Sequence, residues 1–204
     1  MAARVTLRAR LLEHPTVYRL WQAPFVEAKL APLARQNDLR GVRRVLDVGC
    51  GPGTNTPHFL HTDYVGVDLN PRYCEYARRR FGKEFIAADV ASGLPGFEGQ
   101  FDFVLVNSFF HHVDDRAAHR ILAALRTLVA PGGHVHIIDL VLPEQAGMAL
   151  TLARLDRGPF ARPLDVWRRL FGSYFEPVHV EPYVLSLLGV PLWHKVYFKG
   201  RPAG

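Results

Sequence analysis

An acid followed by three alternate glycines, Asp47-Val48-Gly49-Cys50-Gly51-Pro52-Gly53, is the segment of this chain most suited to chemistry. Glycine tolerates positive φ and lets a backbone approach a ligand closely. The preceding Val45-Leu46 is apolar, as in a buried strand. A strand that breaks into a glycine turn and then a helix turns amide N–H groups and a helix N-terminus toward a ligand, which is the geometry of a nucleotide cradle. The spacing Asp-x-Gly-x-Gly-x-Gly differs from the dinucleotide fingerprint Gly-x-Gly-x-x-Gly. Polar groups recur at the ends of later apolar runs: Asp68 after Tyr64–Val67, Asp89 after Phe85–Ala88, and Asn107-Ser108 after Phe101–Val106. Asp68 can accept hydrogen bonds from two vicinal ribose hydroxyls. Asp89 can accept from an exocyclic amine, with Leu69 and Val90 sandwiching the ring. A single acid at a strand end is ordinarily a cap or a turn former, but three in strand order point to one shared ligand. His111 and His112 follow the fourth run directly, and an imidazole there can take a proton from an oxygen or nitrogen acceptor, with Asp114 or Asp115 to orient it. Spacing does not separate the two histidines, and a packing role stays open for both. Asp139 is an alternative base or a cap.

The elements that must position these groups follow from periodicity. Arg43–Val48 reads as a first strand and 54–61 as a short helix. Tyr64–Asp68 reads as a second strand, and Pro71 opens a helix to Phe81 that Gly82 stops. Phe85–Val90 and Phe101–Val106 are the third and fourth strands. Asp114 caps a helix whose Ala118, Ile121, Leu122, Leu125, Leu128 and Val129 share one face. Pro131-Gly132-Gly133 ends it, and His134–Leu140 is a fifth strand. This alternation predicts a doubly wound parallel α/β sheet. Beyond Leu140, helices are expected at 145–155 and 164–171, then strands at 178–185 and 195–198 that pair antiparallel. Ahead of the first strand, 7–39 reads as helical, broken or restarted at Pro15, Pro24 and Pro32. Tyr18, Trp21 and Phe25 there are candidates for a lid, or else packing aromatics. Tyr18 is the one most apt to reach a site, because its hydroxyl needs a polar partner.

Composition narrows the classes. With 204 residues, 49% of them hydrophobic, the chain suits one core and one domain. No apolar run approaches the roughly 20 residues of a membrane span, and no signal peptide is evident. Cys50 and Cys74 give neither a disulfide framework nor a metal spacing, so a cytoplasmic protein with reduced thiols is expected. His58 and His61 lack an acid or cysteine to complete a ligand set, and no metal is assigned. The net charge of +6 is spread along the chain, mostly as arginine, and does not name a nucleic-acid partner.

The segment 45–54 resembles motif I of the class I S-adenosylmethionine (SAM) dependent methyltransferases. Val65–Asn70 is similar to the family's ribose-binding second strand, and Ala88-Asp89-Val90 to its adenine-binding motif. Phe101–His112 is similar to its fourth-strand motif, and Pro131-Gly132-Gly133 before a strand is typical of it. The resemblance covers residues 43–140. It implies a seven-stranded Rossmann-like sheet of order 3-2-1-4-5-7-6 with the last strand antiparallel. It also implies SAM as cofactor and a single domain: a helical cover over 1–40, a cofactor core over 41–140 and an acceptor side over 141–204. By this resemblance Gly49, Gly51, Gly53 and Asn107 lie near the methionine portion of SAM. Asp47 orients the loop and helps hold the amino group, Asp68 binds ribose, and Asp89 and Val90 bind adenine, beside the Leu69 read above as its apolar flank.

Methyl transfer mainly requires the acceptor in line with the S–CH3 bond. The chain lacks the Pro-Pro-aromatic motif of DNA amino-methyltransferases, the Pro-Cys nucleophile of cytosine-C5 enzymes, the paired glutamates of arginine methyltransferases and the Asp/Asp/Asn metal set of catechol-type enzymes. The expectation is a small-molecule acceptor methylated at oxygen or nitrogen. His111 or His112 is the candidate base, Tyr18, Phe109 and Phe110 are candidate acceptor contacts, and the state is monomeric or homodimeric. An RNA or protein methyltransferase and a non-catalytic SAM-binding protein stay open as alternatives. Nucleic acid is disfavoured because no RNA-binding motif accompanies the core. The segment 156–162, with Asp156 and Arg162, either holds an acidic group of the acceptor or forms ion pairs.

Overall fold

A computed structural model describes residues 25–156 and 158–202. Tyr18, Trp21 and most of the expected helical cover lie outside these residues. Seven strands form one sheet: β1 Arg44–Val48, β2 Asp63–Asp68, β3 Glu84–Ala87, β4 Phe101–Asn107, β5 Val129–Leu140, β6 Phe175–Leu187 and β7 Val190–Pro202. Their order is β3-β2-β1-β4-β5-β7-β6. β1 to β5 run parallel, and β7 is antiparallel to both β5 and β6. This is the expected architecture.

Period-2 alternation divides the strand side chains between two cores. Leu46, Val48, Val104, Val106, Val135 and Ile137 face one layer, while Val45, Phe103, Leu105 and Ile138 face the other. The first layer is closed by α3 Asp115–Leu128 and α5 Leu164–Gly172, the second by α1 Val26–Arg35 and α2 Pro71–Phe81. A further helix, α4 Met148–Leu155, follows β5.

Local chemistry explains the boundaries. Asn70 Oδ1 accepts from Arg72 N at the start of α2, and Gly82 ends it in the left-handed region at φ 62°. The Asp114 carboxylate accepts from Ala117 N at 2.7 Å and caps α3. The expected helix after the glycine turn is shorter, a single 3-10 turn over Thr56–Phe59. The N–H and hydroxyl of Thr62 both turn back to Phe59 O, closing the chain for β2. β5 begins earlier than expected, at Val129, with a register break opposite Phe101/Phe103. β6 and β7 are longer than expected and meet at Leu188-Gly189, where φ is 52° and 81°, as a two-residue hairpin turn of the primed type requires. β6, at one edge of the sheet, carries Pro177 and Pro182, and β3 at the other edge is only four residues long. Among the described residues, no helix is long and apolar enough to cross a membrane.

Candidate functional site

The carboxyl ends of β1, β2 and β4 converge on the glycine loop. Gly49 N and Cys50 N both donate to Val67 O, at 2.8 and 3.1 Å, which pins the loop to β2. Asp68 finishes the shape: its Oδ2 accepts from Gly51 N at 2.9 Å and its Oδ1 from Asn70 N at 2.8 Å. The glycines differ in what they face. A Cβ on Gly49 would run into the Phe109 ring, and one on Gly53 (φ 79°) would lie 2.6 Å from Phe81 Cε2. A Cβ on Gly51 (φ 53°) would meet nothing within 4 Å. Gly53 therefore serves packing, and Gly51 borders open space, as a ligand cradle needs. Gly53→Ala is expected to lower stability by about 2–4 kcal/mol through overpacking and a left-handed φ. Gly51→Ala is expected to lose only about 1–2 kcal/mol to backbone strain while weakening SAM binding more than tenfold. Thermal melts with and without SAM check both, and equal behaviour of the two variants would refute the distinction.

A directed hydrogen-bond chain runs behind the loop. Lys195 Nζ donates to Ser108 Oγ (3.1 Å), Ser108 Oγ to Asn107 Oδ1 (3.2 Å), and Asn107 Nδ2 to Asn55 Oδ1 (2.9 Å). Asn55 Nδ2 then reaches both oxygens of Asp47 at 3.1 Å, and Tyr64 OH donates to Asp47 Oδ2 at 2.7 Å. Every donor points toward Asp47, which is completely buried. Burial raises its carboxyl to about 7, partly countered by the hydrogen bonds from Tyr64 and Asn55, while the charge of Asp68 adds to the rise. Asp47 thus bears on the loop through Asn55. Asp89 is exposed, and its Oδ1 accepts from Ala91 N at 2.9 Å as the cap of a 3-10 turn over Val90–Ser92. Val90 beside it is buried, whereas Leu69 is 69% exposed next to Asp68. Loop, acids and apolar flank together fit a nucleoside with a charged amino-acid tail.

On the other side of Asn107, Phe109 lies half-buried against the glycine loop. Phe110 turns inward among Phe109, Trp167 and Phe171 with no exposed surface, so its ring is core and not pocket wall. His111 is held between two acids: Nδ1 meets Asp139 Oδ1 at 2.5 Å, and Nε2 faces Asp156 Oδ1 at 3.5 Å. Burial disfavours its charged form, but Asp139's charge and hydrogen bond, aided by Asp156, raise it to about 9 against the opposing charge of Lys195. His112 is exposed, with its ring centroid 4.1 Å from that of His111. His111, His112 and Asp156 each bring one ligand atom within 4.8 Å of the others, although no metal is assigned from the sequence.

Arg162 fixes this loop. It donates to Asp115 Oδ1 from Nε and Nη2, to Phe110 O and Phe160 O from Nη1, and to Val113 O from Nη2. Its guanidinium also lies 4.7 Å over the Trp167 ring. All five donors are taken, so Arg162 builds the site and does not face an acceptor.

Two buried lysines, on which the charges of Asp139 and Asp156 act, escaped the sequence reading. Lys195 lies on β7 opposite Leu140, and burial above all lowers its ammonium, with Asp139 and Asp156 opposing. Lys29 lies on α1, which Tyr183 OH holds by donating to Lys29 O at 2.7 Å. Burial, and then the charge of Lys195, lower Lys29 to about 7. One signal was present: a lysine opening an apolar strand in a chain whose basic residues are mostly arginine.

Comparison with known proteins agrees with this geometry. A family model described as a methyltransferase domain matches residues 45–133. A trans-aconitate 2-methyltransferase from Methylobacterium radiotolerans is 33% identical over 181 residues, 82% of this chain and 66% of that protein. A ubiquinone biosynthesis O-methyltransferase from Acinetobacter baylyi is 35% identical over 101 residues, 46% of this chain and 42% of that protein. The chain thus spans less than two thirds of the length of either relative. Among solved structures, the N-methyltransferase NodS from Bradyrhizobium japonicum WM9, in complex with S-adenosyl-L-homocysteine, shares the fold. Its TM-score is 0.74 at 17% identity, over 96% of each chain. The glycine loop, the order of the strands and these relatives agree on a SAM-dependent methyltransferase domain: the family model matches residues 45–133, and the Rossmann-like fold is shared with NodS.

Proposed function

We propose that the protein transfers a methyl group from SAM to an oxygen or nitrogen of a small-molecule acceptor. The observation that carries this reading is the junction at Asn107-Ser108, where the chain of donors from the glycine loop meets the buried cluster of Lys195, His111 and Asp139. When bound, SAM supplies an electrophilic methyl carbon on a sulfonium. Displacement in line with the S–CH3 bond would leave the S–C electron pair on sulfur, and the part of the residues is to hold an acceptor lone pair on that line. Asp68 holds ribose, Asp89, Val90 and Leu69 flank adenine, Gly49, Gly51 and Asn107 border the methionine portion, and Gly53 packs the loop behind them. Asp47 keeps Asn55 and the loop in register. Relatives named for trans-aconitate and for ubiquinone biosynthesis support a small acceptor.

The acceptor half is Phe109, His111 and His112, with 141–204 as its supporting side. His111, held as an imidazolium at neutral pH, suits steadying negative charge better than taking a proton. Where an acceptor must lose one, His112, exposed beside His111, is the candidate imidazole. The test is incubation with methyl-labelled SAM and a cell extract separated into small molecules, RNA and protein. Label is expected in the small-molecule fraction, and label confined to RNA or protein would overturn the reading.

A further inference from the structure

The cofactor loop and Asp139 account for most polar groups at the carboxyl end of the sheet, but not for Lys195. Its side chain projects from β7 opposite Leu140 and is 6% exposed. Nζ makes one hydrogen bond, to the neutral hydroxyl of Ser108 at 3.1 Å, and among the described residues it has no ion-pair partner. An ammonium carries three donors, so two are left at this position. A buried cation without a counter-charge in direct contact is unfavourable unless something offsets it. The nearby acids act on it by charge alone: neither is in ion-pair contact with Nζ, Asp139 accepts from His111 and three backbone amides, and Asp156 is taken up by His111 and Gly158 N. Ser108 marks the spot in a second way. It is one of two non-glycine residues at positive φ among the described residues, at 57°, a strained conformation of the kind that gathers at ligand sites.

On the reading of this site as a small-molecule methyltransferase, we propose that Lys195 anchors a carboxylate of the methyl acceptor at the end of β4, beside Asn107. A compact ammonium with two donors left suits one monoanionic group. A phosphate dianion would bring a second charge toward Asp139 and Asp156. A neutral acceptor would seal the ammonium from water with its charge unmatched. A bound carboxylate also restores the proton affinity that burial removes from the ammonium. His111, whose charge acts on Lys195, adds positive potential on the same side.

The test is calorimetric titration of the protein loaded with S-adenosylhomocysteine. The probes are trans-aconitate, benzoate, 4-hydroxybenzoate and octanoate, each beside its methyl ester, with inorganic phosphate as a further arm. At least one acid is expected to bind at least tenfold tighter than its ester. Lys195→Met is expected to weaken that acid about 100-fold, the scale of a lost buried charge pair, and Lys195→Arg less than about tenfold. Both variants should still bind S-adenosylhomocysteine, with any loss of affinity far smaller than the loss for the acid, which also reports that they are folded. If Lys195→Met fails that check, Lys195→Gln takes its place. Equal binding of acids and esters, unchanged binding by Lys195→Met, binding of phosphate in preference to every acid, or no binding by any acid would each overturn the proposal. Failure of the methyltransferase reading would show separately, as loss of S-adenosylhomocysteine binding in the unaltered protein.

Discussion

Replacing Asp139 by alanine is expected to destabilise the protein by about 3–5 kcal/mol, the usual penalty for stripping one partner from a buried ion pair. Asp139 has no exposed surface and accepts from four donors. Phe110 N lies at 2.6 Å, Leu140 N at 2.7 Å, Phe109 N at 3.3 Å and His111 Nδ1 at 2.5 Å. Alanine would leave three amides without that acceptor and an imidazolium without its main counter-charge. Asp139→Asn should lose less, since one oxygen still accepts.

The same pair sets the direction of the pH response. His111 is raised from 6.5 to about 9 in the folded chain, so its contribution is complete below pH 6.5 and disappears as pH rises through about 9. That shift corresponds to about 3 kcal/mol. Asp139 is held below its ordinary 3.8, because the charge and hydrogen bond of His111 outweigh burial. Its contribution is present above pH 3.8 and fades with further acidification. Urea unfolding should therefore find the pair's stabilisation greatest between about pH 4 and 6.5. His111→Gln should flatten the decline between pH 6.5 and 9. An identical decline in the variant and the parent protein would show that the pair does not set it.

Asp68→Ala is expected to weaken SAM binding about 100-fold or more, equivalent to about 3 kcal/mol for hydrogen bonds to a charged group. The carboxylate shapes the loop through Gly51 N and Asn70 N, and in the proposed role its remaining lone pairs would take the ribose hydroxyls. Asp68→Asn keeps one oxygen acceptor and cannot satisfy both amides as before, so an intermediate loss is expected. Calorimetric titration with S-adenosylhomocysteine measures this directly. Undiminished affinity in a folded alanine variant would reject the ribose role.

Much of the cofactor side was legible because its determinants are local. A glycine turn, Asp114 three residues before Ala117, Asn70 before Pro71 and Gly82 after an arginine-rich helix each act within one turn of chain, and each appears in the fold as its residue type requires. Periodicity also placed the strands, since each face is buried by a different helical layer. The acceptor side was less legible because long-range pairing assembles it. Lys195 reaches Ser108 only when β7 returns antiparallel beside β5, and Asp156 reaches His111 only when the segment after α4 folds back. Phe110 and Arg162 show a second limit. An aromatic ring and a guanidinium look alike in sequence whether they face a ligand or a core, and burial assigns both to structure here.

The proline-bearing edge strand has a consequence for how the molecule behaves in concentrated solution. A sheet edge with regular unpaired N–H and C=O groups is a template for another chain, and such templates seed aggregation. β6 forms one edge, and its Pro177 and Pro182 offer no N–H to an incoming strand, while Glu176 and Glu181 add charge to the same strand. β3 closes the opposite edge with a run too short to nucleate pairing, opened by Glu84 and preceded by Lys83. Both rims of the sheet are thus blunted by chemistry unrelated to methyl transfer, and the long β6–β7 hairpin is kept from recruiting a further strand.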